Sequence, residues 1–423
     1  MHDDLYPGQP RILFIGPAQS THTHGTVDLL NDSGWNVRVF SVPTPYFPPP
    51  QWQQRVYISY DGPTPPDAQP LDPRTRHRLY PEPVTEPQGL VRRVLRQFEI
   101  SLDYRLKRNL PLPPEAWLAR IIQEWQPDVI ETLGFNPSGS FYLRSRKQYD
   151  LAGIGRWSLT IRGAPDYELD RYHPVIGPEL VDMLHTADMI LSDNVRCLED
   201  AVEMGAVPEK ISPVGAIPGA GGLDVSAMRA RWQGKPSERR VIVMPKTYES
   251  SWSVTLPVFE ALQRVWDQIQ PCEIYMLAMI TEPTEKWYWH LPEHIRAHCH
   301  VIKGRIPHDD LVQLMTRTRV MLAPSLLDGM PNVILEAMAG GALPVVSPIP
   351  TLVPHFTDEQ HVLYARNLYP DEIAAALVRA MTDDALVDRI TESNVAWVRA
   401  YADKALVKQR AVDYYTALMG QRA

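Results

Sequence analysis

Short apolar runs alternate with helical patterns along most of the chain, and this alternation limits the folds that the chain can adopt. Each run ends at a glycine, a serine or a polar loop, as a buried strand does. The runs are residues 11–16, 36–42, 128–131, 156–161, 187–192, 241–244, 272–280, 301–302, 320–323 and 343–347. Strands that alternate with helices form parallel sheets covered by helices, so the sequence predicts an α/β protein.

The length of the chain and a change in its pattern predict two such units. A chain of 423 residues exceeds the size at which one core stops growing, about 250–300 residues. Between Asp224 and Arg240 polar and charged residues replace the strand pattern. We therefore expect an N-terminal domain over 1–225, a second domain over 226–395 and a helical tail over 396–423.

Composition excludes several classes of protein. Hydrophobic residues make up 44% and charged residues 22%, which is typical of a globular protein and not of a disordered chain. A net charge of -8 argues against a general nucleic-acid binder. With three separated cysteines and no secretory signal pattern at the N-terminus, we expect a soluble protein of the reducing cytoplasm.

The segment 43–115 breaks the α/β pattern. Residues 43–114 contain 16 of the 41 prolines, which predicts an extended insertion that runs over the surface. Within it, residues 89–110 lack proline and combine basic with apolar residues at helical spacing. This stretch is interpreted either as an ordinary amphipathic helix or as a contact with anionic lipid on the inner face of the membrane.

The most informative segment is Val320–Ser347, which is predicted to form a strand, a loop, a helix, a glycine stop and a second strand. The loop leaves the carboxyl end of a strand, where open α/β sheets bind ligands. Pro331 suits the start of the helix, because its missing N–H would be unpaired there anyway. The free N–H groups that follow, together with the helix dipole, predict an anion site suited to a diphosphate.

Two acids flank this predicted anion site. Glu336 lies at the edge of the apolar face of the helix, and a carboxylate can accept two hydrogen bonds from the diol of a ribose. Asp328 lies in the loop, where it could accept hydroxyls of a sugar. Alternatively, Glu336 is a solvated helix residue and Asp328 a favourable charge near a helix N-terminus.

The segment resembles the donor-site motif of retaining glycosyltransferases with the GT-B fold, in particular glycosyltransferase family 4 (glycosyl transferases group 1). That family has an acid, seven residues and then a glutamate followed by Ala-Met-Ala and glycine; here the acids are Asp328 and Glu336. The resemblance implies two Rossmann-like domains that face each other across a cleft, with a C-terminal helix that crosses back to the N-terminal domain. It also implies that Glu336 holds the ribose, Asp328 the donor sugar, and Gly329, Met330, Pro331 and Asn332 the diphosphate.

The resemblance covers most of the chain. Thr160-Ile-Arg-Gly163 followed by Asp166 is similar to the family's strand that ends in His-Gly near an Asp, although Arg162 replaces the histidine. Gly304-Arg305-Ile306-Pro307 resembles the loop that clasps the nucleotide base, which implies donor contacts at Arg305 and Ile306.

The catalytic residues implied are Asp328, Lys246 and Arg162. The family's Arg and Lys after the first strand of the second domain are represented only by Lys246, which could neutralise a departing diphosphate. Arg162 could contact a phosphate or a sugar hydroxyl but cannot act as a base near neutral pH. Alternatively, Lys246 is an exposed loop lysine.

The first loop, Gly16–Gly25, lacks the G-x-G-x-x-G pattern of dinucleotide-binding dehydrogenases. By analogy with GT-B enzymes it faces the cleft, so Gly16, His22 and His24, with Asp166, are expected on the acceptor side. The alternative is a polar loop without function.

Metal chemistry has little support in the sequence. His290, His294 and His298 recur every four residues, but Pro292 interrupts them and no H-E-x-x-H or D-x-D motif is present. We expect no metal and no cofactor.

We therefore expect a metal-independent glycosyltransferase that moves a sugar, with retention of configuration, from a nucleotide-diphosphate sugar to a hydroxyl of an unknown sugar, lipid-linked or small-molecule acceptor. The alternatives are a nucleotide-sugar epimerase or a phosphorylase on the same fold, and a non-catalytic protein that binds sugar nucleotides.

Overall fold

The structure is a computed structural model of the chain, and it describes residues 4–43, 52–59, 77–80, 113–219, 221–304 and 306–420. The predicted basic helix over 89–110 and the predicted donor contact Arg305 lie outside the described residues.

The first half of the chain forms a seven-stranded sheet in the order β4-β3-β2-β1-β5-β6-β7. All neighbouring strands are parallel except β4, which runs antiparallel to β3. The strands are β1 (Arg11–Gly16), β2 (Asn36–Ser41), β3 (Arg55–Ser59), β4 (His77–Tyr80), β5 (Val129–Leu133), β6 (Arg156–Ile161) and β7 (Met189–Ser192). Strands buried on both faces need near-continuous apolar sequence, which the run Ile12–Ile15 supplies with side chains that are 0% exposed.

Helices cover both faces of this first sheet. In the described part of the first half they are α1 (Thr21–Asp28), α2 (Pro114–Trp125), α3 (Ser140–Gln148), α4 (Ile176–Thr186) and α5 (Val195–Glu203). Helix α2 shows how the sequence directs one face inward: Leu118, Ile121, Ile122 and Trp125, at helical spacing, are all buried. Helix α1 and the last helix of the chain contribute to the core on the opposite face.

The second half forms a six-stranded parallel sheet in the order β10-β9-β8-β11-β12-β13. The strands are β8 (Val241–Met244), β9 (Glu273–Leu277), β10 (Cys299–Ile302), β11 (Thr318–Ala323), β12 (Leu343–Val346) and β13 (Leu363–Tyr364). Separate apolar clusters lie on the two faces of this sheet. The strand order reverses direction between β8 and β11, and ligands bind at such switch points in open α/β sheets.

Helices also cover the second sheet, and nine of them lie in the described part of the second half. They are α6 (Val225–Ala230), α7 (Leu256–Ile269), α8 (Glu282–His290), α9 (Glu293–Arg296), α10 (His308–Met315), α11 (Asn332–Gly340), α12 (Pro370–Thr382), α13 (Asp384–Ala402) and α14 (Lys404–Gly420). The predicted α/β class with two largely parallel sheets is confirmed. No described helix is both long and apolar enough to cross a membrane.

The last helix returns to the first half of the chain, as predicted. In α14, Tyr414 and Ser158 of β6 are hydrogen-bonded through their hydroxyls at 2.5 Å. Tyr415 donates its hydroxyl to Oε2 of Glu131 in β5 at 3.2 Å. Backbone hydrogen bonds from Leu223 to Ala402 (2.8 Å) and from Lys404 to Leu223 (2.9 Å) tie the connection between the halves to the start of α14.

Three local predictions were wrong. The Pro-rich insertion supplies strands β3 and β4, and Val56 and Ile58 of β3 are buried, so this part belongs to the core and not to the surface. Residues 21–25, predicted as loop, form the first turns of α1. The helical tail predicted to begin at residue 396 is not one helix in its described part: it belongs to two helices that are separated at Asp403, where the backbone is extended. The proposed boundary at 395/396 falls inside α13, and the domain limits stay a prediction.

Candidate functional site

The loop between β11 and α11 brings the donor-motif residues to the carboxyl edge of the second sheet. Pro331 directly precedes the first residue of α11, with a φ of −66° that suits this position. Gly341 ends the helix in the left-handed conformation at a φ of 82°, which lets β12 begin two residues later. A pocket beneath the loop is lined by Lys246, Asp328, Pro331, Ile334 and Ser347, among others. The helix start and both predicted catalytic residues of this domain therefore share one pocket.

Lys246 and Asp328 form an ion pair in this pocket. Lys246 follows β8 and Asp328 follows β11, two strands that are neighbours at the centre of the sheet. Their side chains are only 20% and 18% exposed. Asp328 also accepts the backbone N–H of Gly329 through Oδ1 at 3.0 Å, which fixes the orientation of the carboxylate. Lys246 is thus not a freely exposed loop lysine but a shielded cation beside the start of α11.

Glu336 is buried within α11 but keeps one polar contact. Only 6% of the residue is exposed, and its Oε1 lies 2.9 Å from Nε2 of His308, the first residue of α10. This hydrogen bond raises the pKa of His308, because the carboxylate favours the protonated imidazole. His308 was not identified in the sequence analysis. Its position, two residues after the predicted base-binding residue Ile306, could have indicated that it lies near the donor site. A ligand hydroxyl that reached Glu336 would replace this imidazole or share the carboxylate with it.

The opposite wall of the cleft comes from the N-terminal domain. Asp166 accepts the backbone N–H of Phe135 at 2.9 Å and that of Arg162 at 3.3 Å, so it holds the turn that follows β6. Burial raises the pKa of Asp166 to about 6 despite these hydrogen bonds. Burial also lowers the pKa of Arg162, while the carboxylates of Asp166 and Asp193 act in the opposite direction. Asp166 therefore holds the backbone of Arg162 in place in this structure.

The two walls touch through glycines. A Cβ atom on Gly163 would lie 2.7 Å from Cα of Gly329, and Gly163 has a φ of 103°. Both residues must therefore lack a side chain for the walls to meet in this way. The loop before α11 thus lies directly against the turn after β6 in this structure.

His22 joins the walls at a second point. Its Nδ1 lies 2.9 Å from Nδ2 of Asn332, the first residue of α11. Partial removal from water, with the nearby charges of Arg162 and Lys246, lowers the pKa of His22 to about 4. A neutral imidazole can accept a hydrogen bond from the amide of Asn332, which agrees with this low pKa.

The other predicted residues of the first loop are placed further inside. The ring of His24 packs edge-on against Trp52 at 4.8 Å between centroids. Gly16 ends β1, and a Cβ there would lie 3.2 Å from Cδ1 of Leu133. The structure thus brings His22 to the second domain, whereas His24 and Gly16 pack within the first.

Asp193 is a second site residue that the sequence analysis did not identify. It follows β7 directly, and its carboxylate accepts the backbone N–H of Met330 from the other domain. Asn194 donates its amide to Oδ1 of Asp193 at 2.7 Å. Burial, and after it the nearby charge of Asp328, raises the pKa of Asp193 to about 7. The available signal was its position, an acid at the carboxyl end of a predicted strand.

No described group of three or more histidine, cysteine, aspartate or glutamate residues could hold a metal ion. His298 and His300 instead lie 3.0 and 2.8 Å from the carboxylate oxygens of Glu273.

Comparisons with known proteins agree with this architecture. Residues 241–383 match the family model for glycosyl transferases group 1, a range that includes Lys246, Asp328 and Glu336. A sequence comparison with curated proteins finds no match.

Solved structures resemble the chain over nearly its whole length. Sucrose-phosphate synthase from Thermosynechococcus elongatus has a TM-score of 0.64 at 17% identity, covering 98% of this chain and 100% of the other. The Anabaena protein HepE in complex with UDP-glucose has a TM-score of 0.64 at 12% identity, covering 96% and 99%. A structure assigned to a UDP-N-acetylglucosamine 2-epimerase from Listeria monocytogenes has a TM-score of 0.59 at 11% identity, covering 98% of each chain.

These likenesses establish the fold. The first two neighbours, and the carboxyl-terminal helix that returns to the N-terminal sheet, agree with the predicted architecture. The chain has the GT-B fold, and its second half carries the match to the glycosyl transferases group 1 family.

Proposed function

We propose that the chain is a glycosyltransferase that moves a sugar from a nucleotide-diphosphate sugar to a hydroxyl acceptor with retention of anomeric configuration. The observation that carries the proposal is the shared position of Lys246, Asp328 and the start of α11 within the region that matches the family model. One neighbour, the Anabaena protein, was solved with UDP-glucose, which supports a nucleotide sugar as the donor.

The donor is proposed to bind on the wall formed by the second domain. Its diphosphate would accept hydrogen bonds from the N–H groups of Gly329, Met330 and Asn332, where the dipole of α11 favours an anion. Its ribose would bind Glu336, and Ile306, with Arg305, would lie against the base. Asp328 would accept hydroxyls of the sugar, and Lys246, freed from Asp328, would neutralise the leaving diphosphate.

The acceptor is proposed to approach from the N-terminal wall. Arg162 is a permanent cation, so it would stabilise the phosphate side of the transition state and not remove a proton. In the front-face mechanism implied by the family resemblance, the departing phosphate itself takes the proton of the acceptor hydroxyl. His22 would border this side directly, and Asp166 would shape it by holding the turn that carries Arg162. The fixed cations and N–H dipoles would provide the charge stabilisation without a metal.

The identity of the nucleotide is the first test of this proposal. A thermal-shift panel with UDP, GDP, ADP and their sugars should raise the Tm with one base preferentially. A ligand at about 100 times its Kd adds about 2.7 kcal/mol of stability. Lack of stabilisation by every nucleotide at millimolar concentration would contradict the proposal.

A second measurement separates transfer from the alternatives. Release of nucleoside diphosphate should depend on an added acceptor, and the anomeric configuration of the product should match that of the donor. The Listeria neighbour motivates an epimerase as the second candidate. An epimerase would interconvert the nucleotide sugar without any acceptor, and a binding protein would release no diphosphate with any acceptor tested.

A further inference from the structure

Asp193 contacts the donor loop from the opposite domain. Its carboxylate accepts the N–H of Met330. A Cβ on Gly329 would lie only 3.1 Å from Asp193 Oδ2, so the carboxylate lies directly against this loop. The N-terminal domain therefore places its own anion at the backbone N–H groups to which the proposed function assigns the donor diphosphate.

The charges around Asp193 favour its replacement by a ligand. Asp328 lies close enough for its negative charge to oppose that of Asp193. Arg162 is the cation that acts on Asp193 from its own domain, and Lys246 on the other wall is paired with Asp328. A diphosphate at this position would offer more negative charge to both cations than one carboxylate does.

Asp193 is also linked to the connection between the domains. Tyr401 of α13 donates its hydroxyl to the backbone carbonyl of Asp193 at 3.1 Å. Ala402, the next residue, accepts the backbone N–H of Leu223 in the crossing between the two halves. The backbone of Asp193 is thus hydrogen-bonded to a helix that also contacts the segment joining the domains.

We propose that Asp193 is an internal stand-in for the donor diphosphate, which holds the two walls together in the ligand-free protein and is displaced when a nucleoside diphosphate binds. The proposal rests on the proposed function, because it takes the diphosphate site from it. The displacement should change the measured Kd for the nucleotide. Only the fraction of molecules in which Asp193 has left the loop is competent to bind, so the observed Kd exceeds the intrinsic Kd by the inverse of that fraction.

The test is calorimetric titration of UDP, GDP and ADP into the wild-type chain and into Asp193→Ala and Asp193→Asn. We expect the nucleotide that binds the wild type to bind Asp193→Ala about 10-fold more tightly, a gain of about 1.4 kcal/mol. Asp193→Asn keeps the size and loses the charge, so its gain should be smaller but in the same direction. Asp182→Asn, which removes a charge from an exposed pair with Lys147 in the same domain, should leave the Kd unchanged.

Thermal unfolding without ligand completes the test, since loss of the contact should lower the Tm of Asp193→Ala. A residue with a merely structural role would lower the Tm without tightening nucleotide binding. Equal or weaker binding by both variants would overturn the proposal, and if Asp193→Ala does not fold, Asp193→Asn decides. Failure of the wild type to bind any nucleotide would instead refute the proposed function, so the two failures are distinguishable.

Discussion

The two walls of the cleft hold their acids in different ways. On the wall of the second domain each of the two acids has a basic side chain beside it: Asp328 is paired with Lys246, and Glu336 contacts His308. In the N-terminal domain the acids are held by burial, which raises the pKa of Asp166 to about 6 and that of Asp193 to about 7. Glu131, in β5 beneath α14, is fully buried, and burial raises its pKa to about 8.

This difference predicts that the acids of the two walls have different roles. A carboxylate beside a cation at a cleft can exchange that partner for a ligand at moderate cost, because both groups remain charged and solvated in part. Ionisation of a carboxylate that is buried without a full ionic partner lowers the free energy of unfolding. Its protonation therefore depends on pH and on the packing around it. Substitutions of Glu336 and Lys246 in the second domain should therefore change nucleotide binding and turnover most. Substitution of a first-domain acid that is buried away from the donor loop, such as Glu131, should change stability and its pH dependence instead.

The largest effect is expected for Glu336→Ala. Loss of two charge-assisted hydrogen bonds to the ribose should weaken nucleotide binding by about 100-fold or more, since each such bond contributes about 1.5–3 kcal/mol. Calorimetry measures this directly. Glu260→Ala, which removes an exposed acid paired with Arg264 on α7, serves as the control and should bind normally. Unchanged affinity in Glu336→Ala would remove the ribose assignment.

Lys246→Ala should lower kcat by about 100-fold, because a fixed cation at the leaving group acts mainly in the transition state. The Kd for the nucleotide should rise by a smaller factor. Steady-state kinetics with saturating donor separates the two effects. Lys303→Ala removes an exposed lysine paired with Glu285 and should be indistinguishable from the wild type. A kcat within about twofold of the wild type would exclude Lys246 from the chemistry.

Arg162→Ala tests the other wall. We expect kcat to fall by about 10-fold while the nucleotide Kd stays within about twofold, because the guanidinium acts on the bound donor from the acceptor side. Arg162→Lys should recover part of the rate, since it restores the charge without the planar geometry. If Arg162→Ala weakens nucleotide binding as strongly as Glu336→Ala, the proposed division between the walls is wrong.

Glu131→Gln probes burial without ionic pairing, and its effect should be confined to stability and should grow as the pH rises. The folded chain keeps a proton on Glu131 up to about pH 8, whereas the unfolded chain loses it near the ordinary value of 4.5. Folded protein therefore binds more protons in this window, and stability falls as the pH rises through it.

Glutamine carries no such charge, so the stability of Glu131→Gln relative to the wild type should increase by about 4 kcal/mol between pH 5 and pH 9. Urea unfolding at the two pH values measures the difference. Glu124→Gln, at an exposed pair with Arg120, is the matched control. A stability difference that is the same at both pH values would show that Glu131 is not held neutral.

The same contrast explains how much the sequence could predict. The donor motif is one contiguous segment, so the strand, loop and helix that position Asp328 and Glu336 follow from local pattern. The N-terminal wall is assembled from His22, Arg162, Asp166 and Asp193, which follow different strands and meet only through the order of the sheet. The order of the strands in the sheet cannot be inferred from a local sequence pattern. For this reason Asp193 was not predicted, and His24 was expected at the cleft.

Some elements were hidden by conflicting local signals. Prolines around 43–50 and 63–73 obscured β3, whose apolar residues Val56 and Ile58 are few and isolated in sequence. Helix α1 has a weakly amphipathic sequence, THTHGTVD, so tertiary packing of Val27 and Thr23 decides its conformation. The break at Asp403 interrupts a pattern that is helical on both sides, and a single extended residue leaves no periodic trace.

The central claim is that a nucleoside diphosphate binds at the start of α11 with its ribose on Glu336. A crystal structure of the chain with the preferred nucleoside diphosphate tests this claim most directly. We predict phosphate oxygens within about 2.7–3.2 Å of the backbone nitrogens of Gly329, Met330 and Asn332, ribose hydroxyls on Glu336, and Asp193 withdrawn from Met330. A nucleotide bound elsewhere, with Glu336 still in contact only with His308, would contradict the claim.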